Sequence, residues 1–555
     1  MSEKVKEKKK SRFGKLFRFS FLLFIILILP VLYAIDYKIL NEIVFKPQTR
    51  IVYDTFKVYI DESIPQEFED TIKEKLGSVS FNGKSRFEFV DEKAHINISD
   101  TTDEQSVDVF KKDLIAVGHV YSLLTEISQK NLSSYNVYLL DNTYAQYIKE
   151  QYKIDTTVMS TKEELVAKLK SSDKNIALVG FGDLDPSLKV LYVDDSYFLD
   201  NQEGSIPIRF YAKMNDDNRQ FILSVMKKNL TEYIDDWSVD NLAKVNMSGV
   251  VAIARALAYK MDSLKDYDYP AKYIGSFLAD ADLTHISNEV SFVEGCKVYS
   301  GMRFCSNPKY METLTASGVD IVELTGNHNN DFGSSNSTKS IQMYVDQGMR
   351  YFGGGLNTED ASKILYEEVK GTKIAFIGYN YYDTMLKTLA LAGESRSGAN
   401  SYSDEKMESD IQEARDNGAD IIIVDFQFQE CYSYPSGDVV FPICYKPLSS
   451  PDQKGTFKKA IDYGADIVIG TQAHQPQTYE LYKNGIIFYG LGNLYFDQKH
   501  WIGTRQAMIL THYFYDGKHI QTKITPTYMD STLQTKIATD SQRDQLLKSL
   551  KGARN

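Results

Sequence analysis

Residues 464–497 read GADIVIGTQAHQPQTYELYKNGIIFYGLGNLYFD, and this stretch decides the fold. It contains two near-continuous apolar runs, at 466–470 and 486–496, separated by polar residues. Such runs predict strands buried on both faces, as in the sheets of α/β proteins. The Gly-Ala-Asp before the first run predicts that a helix ends at Gly464 in a left-handed cap. We expect the second run to extend the same sheet.

The same pattern recurs upstream. Apolar runs occupy 321–324 (IVEL), 373–379 (KIAFIGY) and 420–426 (DIIIVDF), and the last follows an Asn-Gly-Ala-Asp at 417–420. Strands that alternate with helical segments predict an α/β domain, which we place at residues 245–530. A helical tail is expected at 531–555.

The N-terminal half also alternates between strand-like and helical segments. Predicted strands are 57–61, 95–99, 136–140, 175–181 and 189–193, and predicted helices are 65–76 and 161–172. Thr161 and Glu164 have the spacing of a capping box, which indicates the start of the second helix. The alternation predicts a parallel α/β domain over residues 56–240. Residues 114–132 resemble the crossover segment of phosphate-binding-type periplasmic binding proteins; the alternative is a spacer or interaction domain.

The N-terminus combines a basic segment with an apolar one. Residues 1–18 hold eight basic and two acidic groups, and 19–35 hold no charged residue. Seventeen helical residues span about 26 Å, enough to cross a hydrocarbon core. We therefore expect a basic cytoplasmic tail (1–18), a transmembrane helix (19–35) and a stalk (36–55). The predicted location is the cell membrane, single-pass, with the N-terminus cytoplasmic and the bulk of the chain extracytoplasmic; a cleaved signal peptide is the alternative.

Composition restricts the class of protein. The chain has 555 residues, 43% hydrophobic and 25% charged, which are globular values and predict two to four domains. Because the whole chain carries −12 and residues 1–18 carry +6, the remainder carries −18. This charge argues against a nucleic-acid partner.

Four cysteines fall into two local pairs. Cys296 and Cys305 are nine residues apart, and Cys431 and Cys444 are thirteen apart. Four cysteines allow three pairings, and in an extracytoplasmic chain the two local disulfides are the simplest. A zinc site is the competing use, although neither spacing matches the close pairs of structural zinc sites.

Four motifs in order resemble one known family. They are ADLTHISNEVSF (281–292), GVDIVELTGNHNNDFG (318–333), GMRYFGGGLNTEDA (348–361) and the closing block at 464–497. Together they resemble the CapA family of capsule and poly-γ-glutamate synthesis proteins, whose fold is similar to that of calcineurin-like metallophosphoesterases. The resemblance covers about residues 246–498 and implies a metallophosphoesterase-like α/β sandwich.

The resemblance also implies roles for individual residues. Asn327 and His328 match the family's Asn-His, implying a metal ligand and a catalytic proton donor, and Asp331 would orient His328. Glu289 and His474 match further metal-binding positions. Mixed oxygen and nitrogen ligands suit divalent metals that activate water near neutral pH.

Several family positions are altered. Val250 stands where the family has Asp, and Phe426, Thr471 and Gln472 stand where it has His. Because valine cannot bind a metal and glutamine binds borderline metals weakly, we expect one divalent metal (Mn, Zn or Mg) or none. The remaining matched positions are expected to line the site or support it: Arg255, Glu430, Asn493 and Asp497.

Two functions follow as alternatives, and the sequence leaves open whether the protein is an enzyme. The first is a membrane-anchored protein for synthesis, export or retention of a surface polymer, with a degenerate metal site, whose partners are the membrane, the polymer or its synthesis complex. The second is a metal-dependent hydrolase of a phosphoester or polymer amide. A third possibility is that residues 56–240 bind a small anion or peptide.

Overall fold

The computed structural model describes residues 55–81, 83–103, 105–215, 221–230, 237–381, 388–428 and 453–554. The described residues form two compact units, one of 55–109 with 210–230 and one of 110–209 with 237–554. The predicted basic tail, Glu430, Cys431 and Cys444 lie outside the described residues.

The predicted localisation needs correction. No helix within the described part of the chain is both long and apolar enough to cross a membrane. This finding contradicts the predicted single-pass membrane location with a cytoplasmic N-terminus. The stretch on which that prediction rested, 19–35, falls outside the described ranges.

The first unit is a small mixed α/β structure. Phe56–Ile60 pairs in parallel with Phe87–Phe89 and Ile96–Ser99, and Ile206–Met214 runs antiparallel to Ile96–Ser99. The predicted helix is present as Gln66–Gly77, and its Phe68 ring lies 5.3 Å from that of Phe210. The remaining elements are a short pair, Ser80–Phe81 with Lys84–Ser85, and the helix Phe221–Leu230.

The second unit begins with strands that also pair in both directions. Asn175–Val179 pairs in parallel with Asn136–Leu139 but antiparallel to Val107–His119, so the prediction of a purely parallel domain is wrong. Strands that are linked by a helix are expected to be parallel. The alternation does not predict the direction of Val107–His119, which is not linked to its neighbour Asn175–Val179 by a single helix. Thr161 caps the helix Lys162–Lys170 as predicted, accepting from the Glu164 N–H at 3.2 Å. Further elements are Glu126–Ile127, Gln129–Ser134, Ala145–Tyr152, Thr156–Val158, Leu188–Val190, Tyr192–Val193 and Phe198–Asn201.

Two further sheets carry the motifs. The eight-stranded sheet has, in spatial order, Arg350–Phe352, Ile321–Glu323, Leu283–Asn288, Ala243–Val251, Gln506–Tyr515, Lys518–Met529 and Thr535–Ile537, with Asn493–Tyr495 beside Ala243–Val251. The six-stranded sheet has Leu365–Val369, Thr372–Asn380, Ile421–Gln427, Ile467–Gly470, Gly485–Phe488 and Tyr479–Tyr482. In each sheet four neighbouring strands are parallel.

The two sheets pack face to face with helices outside. Val245, Met247 and Ile321 of one sheet share a core with Ile374 and Ile423 of the other. The outer face of the eight-stranded sheet shares a second core with Arg255–Leu264, Gly275–Ala279, Met311–Ala316 and Ser334–Asp346. Helices Asp404–Asp416 and Gln453–Asp462 cover the six-stranded sheet, and Asp540–Gly552 is the last helix. This mixed α/β arrangement agrees with the α/β domain that the apolar runs predict and with the sandwich that the CapA resemblance implies.

The second apolar run differs from the prediction. Residues 486–496 do not extend one sheet: Gly485–Phe488 lies in the six-stranded sheet and Asn493–Tyr495 in the eight-stranded sheet. Gly492 lies between them at φ +80°, and a Cβ there would meet the Gln506 carbonyl oxygen at 2.5 Å. A continuous apolar run cannot reveal a change of sheet, because both strands are buried.

Two local predictions are confirmed. Gly418 and Gly464 adopt φ +77° and +113°, in the region of positive φ that favours glycine before the next strand. Cys296 and Cys305 form a disulfide with a Cα–Cα distance of 6.1 Å.

Candidate functional site

The candidate site lies where the parallel strands of the sandwich end. Carboxyl ends of parallel strands meet at one edge of a sheet, where α/β proteins place their ligands. Ala243–Val251, Leu283–Asn288 and Ile321–Glu323 lead into Arg255, Glu289 and the Asn327–His328 pair. From the six-stranded sheet, Ile421–Gln427 and Ile467–Gly470 bring Gln427, Gln472 and His474.

His328 and Asp331 form the predicted pair. His328 Nδ1 lies 2.8 Å from Asp331 Oδ2, and each side chain is 17% exposed. Asp331 also accepts from the Phe304 N–H at 2.7 Å, and the Phe304 ring lies 4.4 Å from the imidazole. The carboxylate therefore orients an imidazole that solvent can reach.

His474 is a neutral, buried histidine. It is 6% exposed, and its Nδ1 lies 2.8 Å from Asn493 Oδ1. Asn493 in turn donates to the Thr504 carbonyl at 3.0 Å, which fixes the amide so that His474 Nδ1 is the donor. Burial, with His328 and Arg255 nearby, lowers the pKa of His474 to about 4. A neutral ring protonated on Nδ1 is the tautomer that a metal-binding Nε2 requires.

Glu289 is an enclosed carboxyl group. It is 1% exposed, and its Oε1 has no hydrogen-bond partner among the described residues. Burial, reinforced by the carboxylates of Glu323 and Asp331, raises its pKa well above the usual range. The enclosed site therefore favours the protonated form of Glu289 more strongly than water does.

Gly326 holds the Glu289 backbone close to the Asn327 loop. A Cβ on Gly326 would lie 2.6 Å from the Glu289 Cα. Adding a side chain at Gly326 therefore forces one of the two backbone segments to move. We expect Gly326→Ala to lower the free energy of unfolding by about 1–3 kcal/mol, measured by urea denaturation. Gly182→Ala is the control, since a Cβ there meets nothing within 4 Å. Equal stability of both variants would contradict this close packing.

Arg255 is engaged by Asp497 rather than by the strand-end site. Its Nε donates to Asp497 Oδ1 at 2.9 Å, and the Ala256 N–H donates to Asp497 Oδ2 at 2.7 Å. The guanidinium lies 5.0 and 4.6 Å from the Phe304 and Phe496 rings. Arg255 has φ +49°, an unfavourable value for arginine, so the ion pair helps to hold a strained turn.

The positions at which this chain differs from the CapA family do not all face the strand-end site. Phe426 is fully buried on the outer face, stacked 4.8 Å from Phe457, and does not face the site. Gln427, one residue later, points to the opposite face and donates to Gln472 Oε1. Sequence matching missed Gln427; the alternation of side chains along the strand could have indicated it. Val250 is fully buried in apolar surroundings, and Thr471 donates to the Phe426 carbonyl at 3.2 Å.

Few candidate metal-binding side chains meet at the strand ends among the described residues. Glu289 Oε1 and Asn327 Oδ1 are buried oxygens without hydrogen-bond partners in the part of the chain that the structure describes. In that same part, no three His, Cys, Asp or Glu side chains are grouped closely enough to hold a metal ion. Glu430, the other expected acidic residue, lies outside the described ranges.

Comparison with a family model supports the resemblance. Residues 244–498 match a model described as bacterial capsule synthesis protein PGA_cap. The matched range coincides with the stretch, about 246–498, in which the CapA motifs occur. The CapA resemblance is therefore confirmed over this part of the chain.

Two curated proteins are similar to the same region. Capsule biosynthesis protein CapA of Bacillus anthracis is 27% identical over 258 residues, which is 45% of this chain and 59% of that protein. PGA biosynthesis protein CapA of Bacillus subtilis (strain 168) is 23% identical over 312 residues, covering 56% of this chain and 77% of that protein. The match with the first thus spans less than two thirds of its length.

Solved structures show weaker likenesses. The calcineurin-like phosphoesterase YfkN from Bacillus subtilis is 12% identical with a TM-score of 0.31, covering 57% of this chain and 99% of that one. An ABC-type phosphate transport receptor from Vibrio cholerae is 9% identical with a TM-score of 0.24, covering 32% and 98%. At such TM-scores neither likeness carries an argument about this chain.

Proposed function

We propose that this chain takes part in the synthesis, export or retention of a capsule or poly-γ-glutamate-type surface polymer, and that it acts by binding rather than by hydrolysis. The match of residues 244–498 to the capsule synthesis family supports the first half of this proposal. The names of both curated relatives refer to capsule or PGA biosynthesis.

The composition of the strand-end site carries the second half. Gln427 and Gln472 bond to each other at the strand ends, and Val250 is buried in apolar surroundings. These side chains are neutral, and none of them offers an anionic or imidazole donor. A centre that generates metal-bound hydroxide needs anionic or imidazole donors, because they offset the charge of the metal and lower the pKa of its water. The donor set therefore favours a degenerate site.

One observation favours the alternative of a metal-dependent hydrolase. The 2.8 Å contact between His328 and Asp331 has the geometry of an oriented general acid. His328 is also partly exposed, so a substrate can reach it. Hydrolysis requires the His328 imidazole as a general acid, whereas polymer binding does not.

Replacing His328 separates the two functions in cells. Cells that lack the protein are expected to lose surface polymer, and the wild-type chain to restore it. Under the binding proposal His328→Ala restores polymer as well as His500→Ala does, an exposed histidine outside the site. Loss of a general acid would instead cost about 10²–10⁴-fold in rate. Surface polymer is measured together with protein abundance.

Two outcomes contradict the proposal. If deletion leaves surface polymer unchanged, the role in polymer synthesis, export or retention is wrong. If His328→Ala abolishes polymer at normal protein abundance while His500→Ala does not, the binding mode is wrong and hydrolysis is favoured.

A further inference from the structure

A large cavity in the unit of residues 110–209 and 237–554 is lined by none of the strand-end site residues. We call it the basic cleft; its volume is about 660 Å³, within the range of ligand sites. It lies between the ends of Val107–His119, Lys162–Lys170, Gln453–Asp462 and Asp540–Gly552. The lining residues that matter here are His119, Tyr121, Lys170, Lys454, Lys551 and Arg554.

Cations outnumber anions around the basic cleft. Four cationic side chains line it against two carboxylates, Asp173 and Glu480. Both carboxylates are already engaged, Asp173 by Lys551 at 2.9 Å and Glu480 by Lys458 at 3.3 Å. Lys170 and Lys454 form no ion pair with any described residue. In a chain of net charge −12, this is a local reversal of sign.

Two bases near the basic cleft have lowered pKa values. Burial, together with Lys170, Arg554 and Lys551, lowers the pKa of His119 to about 4. Burial, with Arg543, Arg554 and Lys551 opposing the stabilising Asp173, lowers the pKa of Lys189 to about 7. Burial is the main cause of both shifts, and the cations around the cleft add to it.

Arg554 gives the cleft a specific anchor. Its guanidinium lies 4.0 Å from the centre of the Tyr121 ring and 4.7 Å from that of Tyr479. Its Nη1 is buried and has no hydrogen-bond partner among the described residues. A planar guanidinium held between rings matches a carboxylate, and the tyrosine and leucine walls can pack against the methylene groups of a chain.

We propose that the basic cleft binds a segment of a flexible polycarboxylate chain, with Arg554 on one carboxylate and Lys170 and Lys454 on its neighbours. The identification of that chain as the surface polymer rests on the proposed function above. Salt screens the repulsion from acidic groups that lie more than about 8–10 Å away. The negative charge of the rest of the protein therefore does not keep such a chain from the cleft.

The test uses purified full-length chain and a fluorescent decamer of γ-linked glutamate, followed by anisotropy. Lys170→Gln/Lys454→Gln removes two exposed cations without breaking an ion pair. The matched control, Lys297→Gln/Lys339→Gln, makes the same charge change at exposed positions outside the cleft. We expect the cleft variant to bind about tenfold more weakly than wild type, from two contacts of about 0.7 kcal/mol each. The control should bind as wild type does, and rising salt should weaken binding.

Three results overturn this inference: no binding of the glutamate decamer, equal weakening in the control variant, or tighter binding of a polyphosphate of equal charge. Each leaves the deletion experiment on surface polymer unaffected. The converse outcome is that deletion leaves surface polymer unchanged while the cleft variants bind as expected. In that case the proposed function is wrong, but the cleft still binds a polycarboxylate chain.

Discussion

Arg255→Ala is expected to lower the free energy of unfolding by about 3–5 kcal/mol, because it leaves a buried carboxylate without its counter-ion. Asp497 is 7% exposed in its side chain and Arg255 19%. Removing one partner of a buried ion pair destabilises the fold by more than the intact pair stabilises it. The remaining charge is still buried but no longer has a counter-ion.

A double-mutant cycle tests this expectation. Urea unfolding of Arg255→Ala, Asp497→Asn and the double variant should show strong coupling, with the double variant less destabilised than the sum of the two. The control is Arg303→Ala, which removes an exposed arginine 4.8 Å from the Phe332 ring but no buried ion pair. We expect it to cost less than about 1 kcal/mol. Additive effects would show that the pair is not energetically coupled.

The result bears on function because the resemblance places Arg255 at the site. In the structure its guanidinium is bound to Asp497, the Asp497 carboxylate also holds the Ala256 N–H, and two aromatic rings enclose the group. Arg255 therefore shapes the loop after Ala243–Val251. Arg255 matches the family although Val250 does not. A structural role for Arg255 predicts this difference.

The strands of the sandwich could be predicted because they are buried on both faces. Runs at 373–379 and 420–426 correspond to Thr372–Asn380 and Ile421–Gln427 within one or two residues. The His328–Asp331 contact could also be predicted, because the two residues are three apart in a short motif.

Long-range and face-dependent features could not be predicted. Arg255 and Asp497 are 242 residues apart, and nothing local in the chain marks them as partners. Phe426 and Gln427 are neighbours on opposite faces, so a one-residue difference in register decides which lines the site. Asp425 and Glu323 are fully buried although they stand in otherwise apolar runs, and nothing local in the sequence marks them as neighbours.

Glu323→Gln is expected to remove a marked loss of stability that occurs as the pH rises towards 8. Burial and the Asp425 carboxylate raise the pKa of Glu323 to about 8, while Ser287 and the Thr325 N–H partly offset them. Between the unfolded value near 4.3 and about 8, the folded state binds the additional proton. The free energy of unfolding therefore falls by about 1.4 kcal/mol per pH unit across that range.

Other titrating groups limit the range in which Glu323 can be tested. His285 Nε2 lies 3.0 Å from Asp425 Oδ2, and burial raises the pKa of Asp425 despite this histidine. Burial, with His519 and His285 nearby, lowers the pKa of His512 well below its usual value. A histidine neutral in the folded state destabilises it below about pH 6.5, where the unfolded ring is protonated. Above pH 6.5 the unfolded histidines are largely neutral, so their contribution to the pH dependence of stability becomes small.

The decisive comparison is therefore made between pH 6.5 and pH 8. Glutamine keeps the shape of the protonated carboxyl and can still accept from the Thr325 N–H, which is 2.8 Å from Glu323 Oε1. The stability of Glu323→Gln relative to wild type should rise by about 2 kcal/mol over this interval, measured by urea denaturation at each pH. Glu413→Gln, at an exposed position on Asp404–Asp416, should run parallel to wild type. A pH-independent difference for Glu323→Gln would mean that this carboxyl keeps its proton to higher pH or that water reaches it, and it would reject the titration near pH 8.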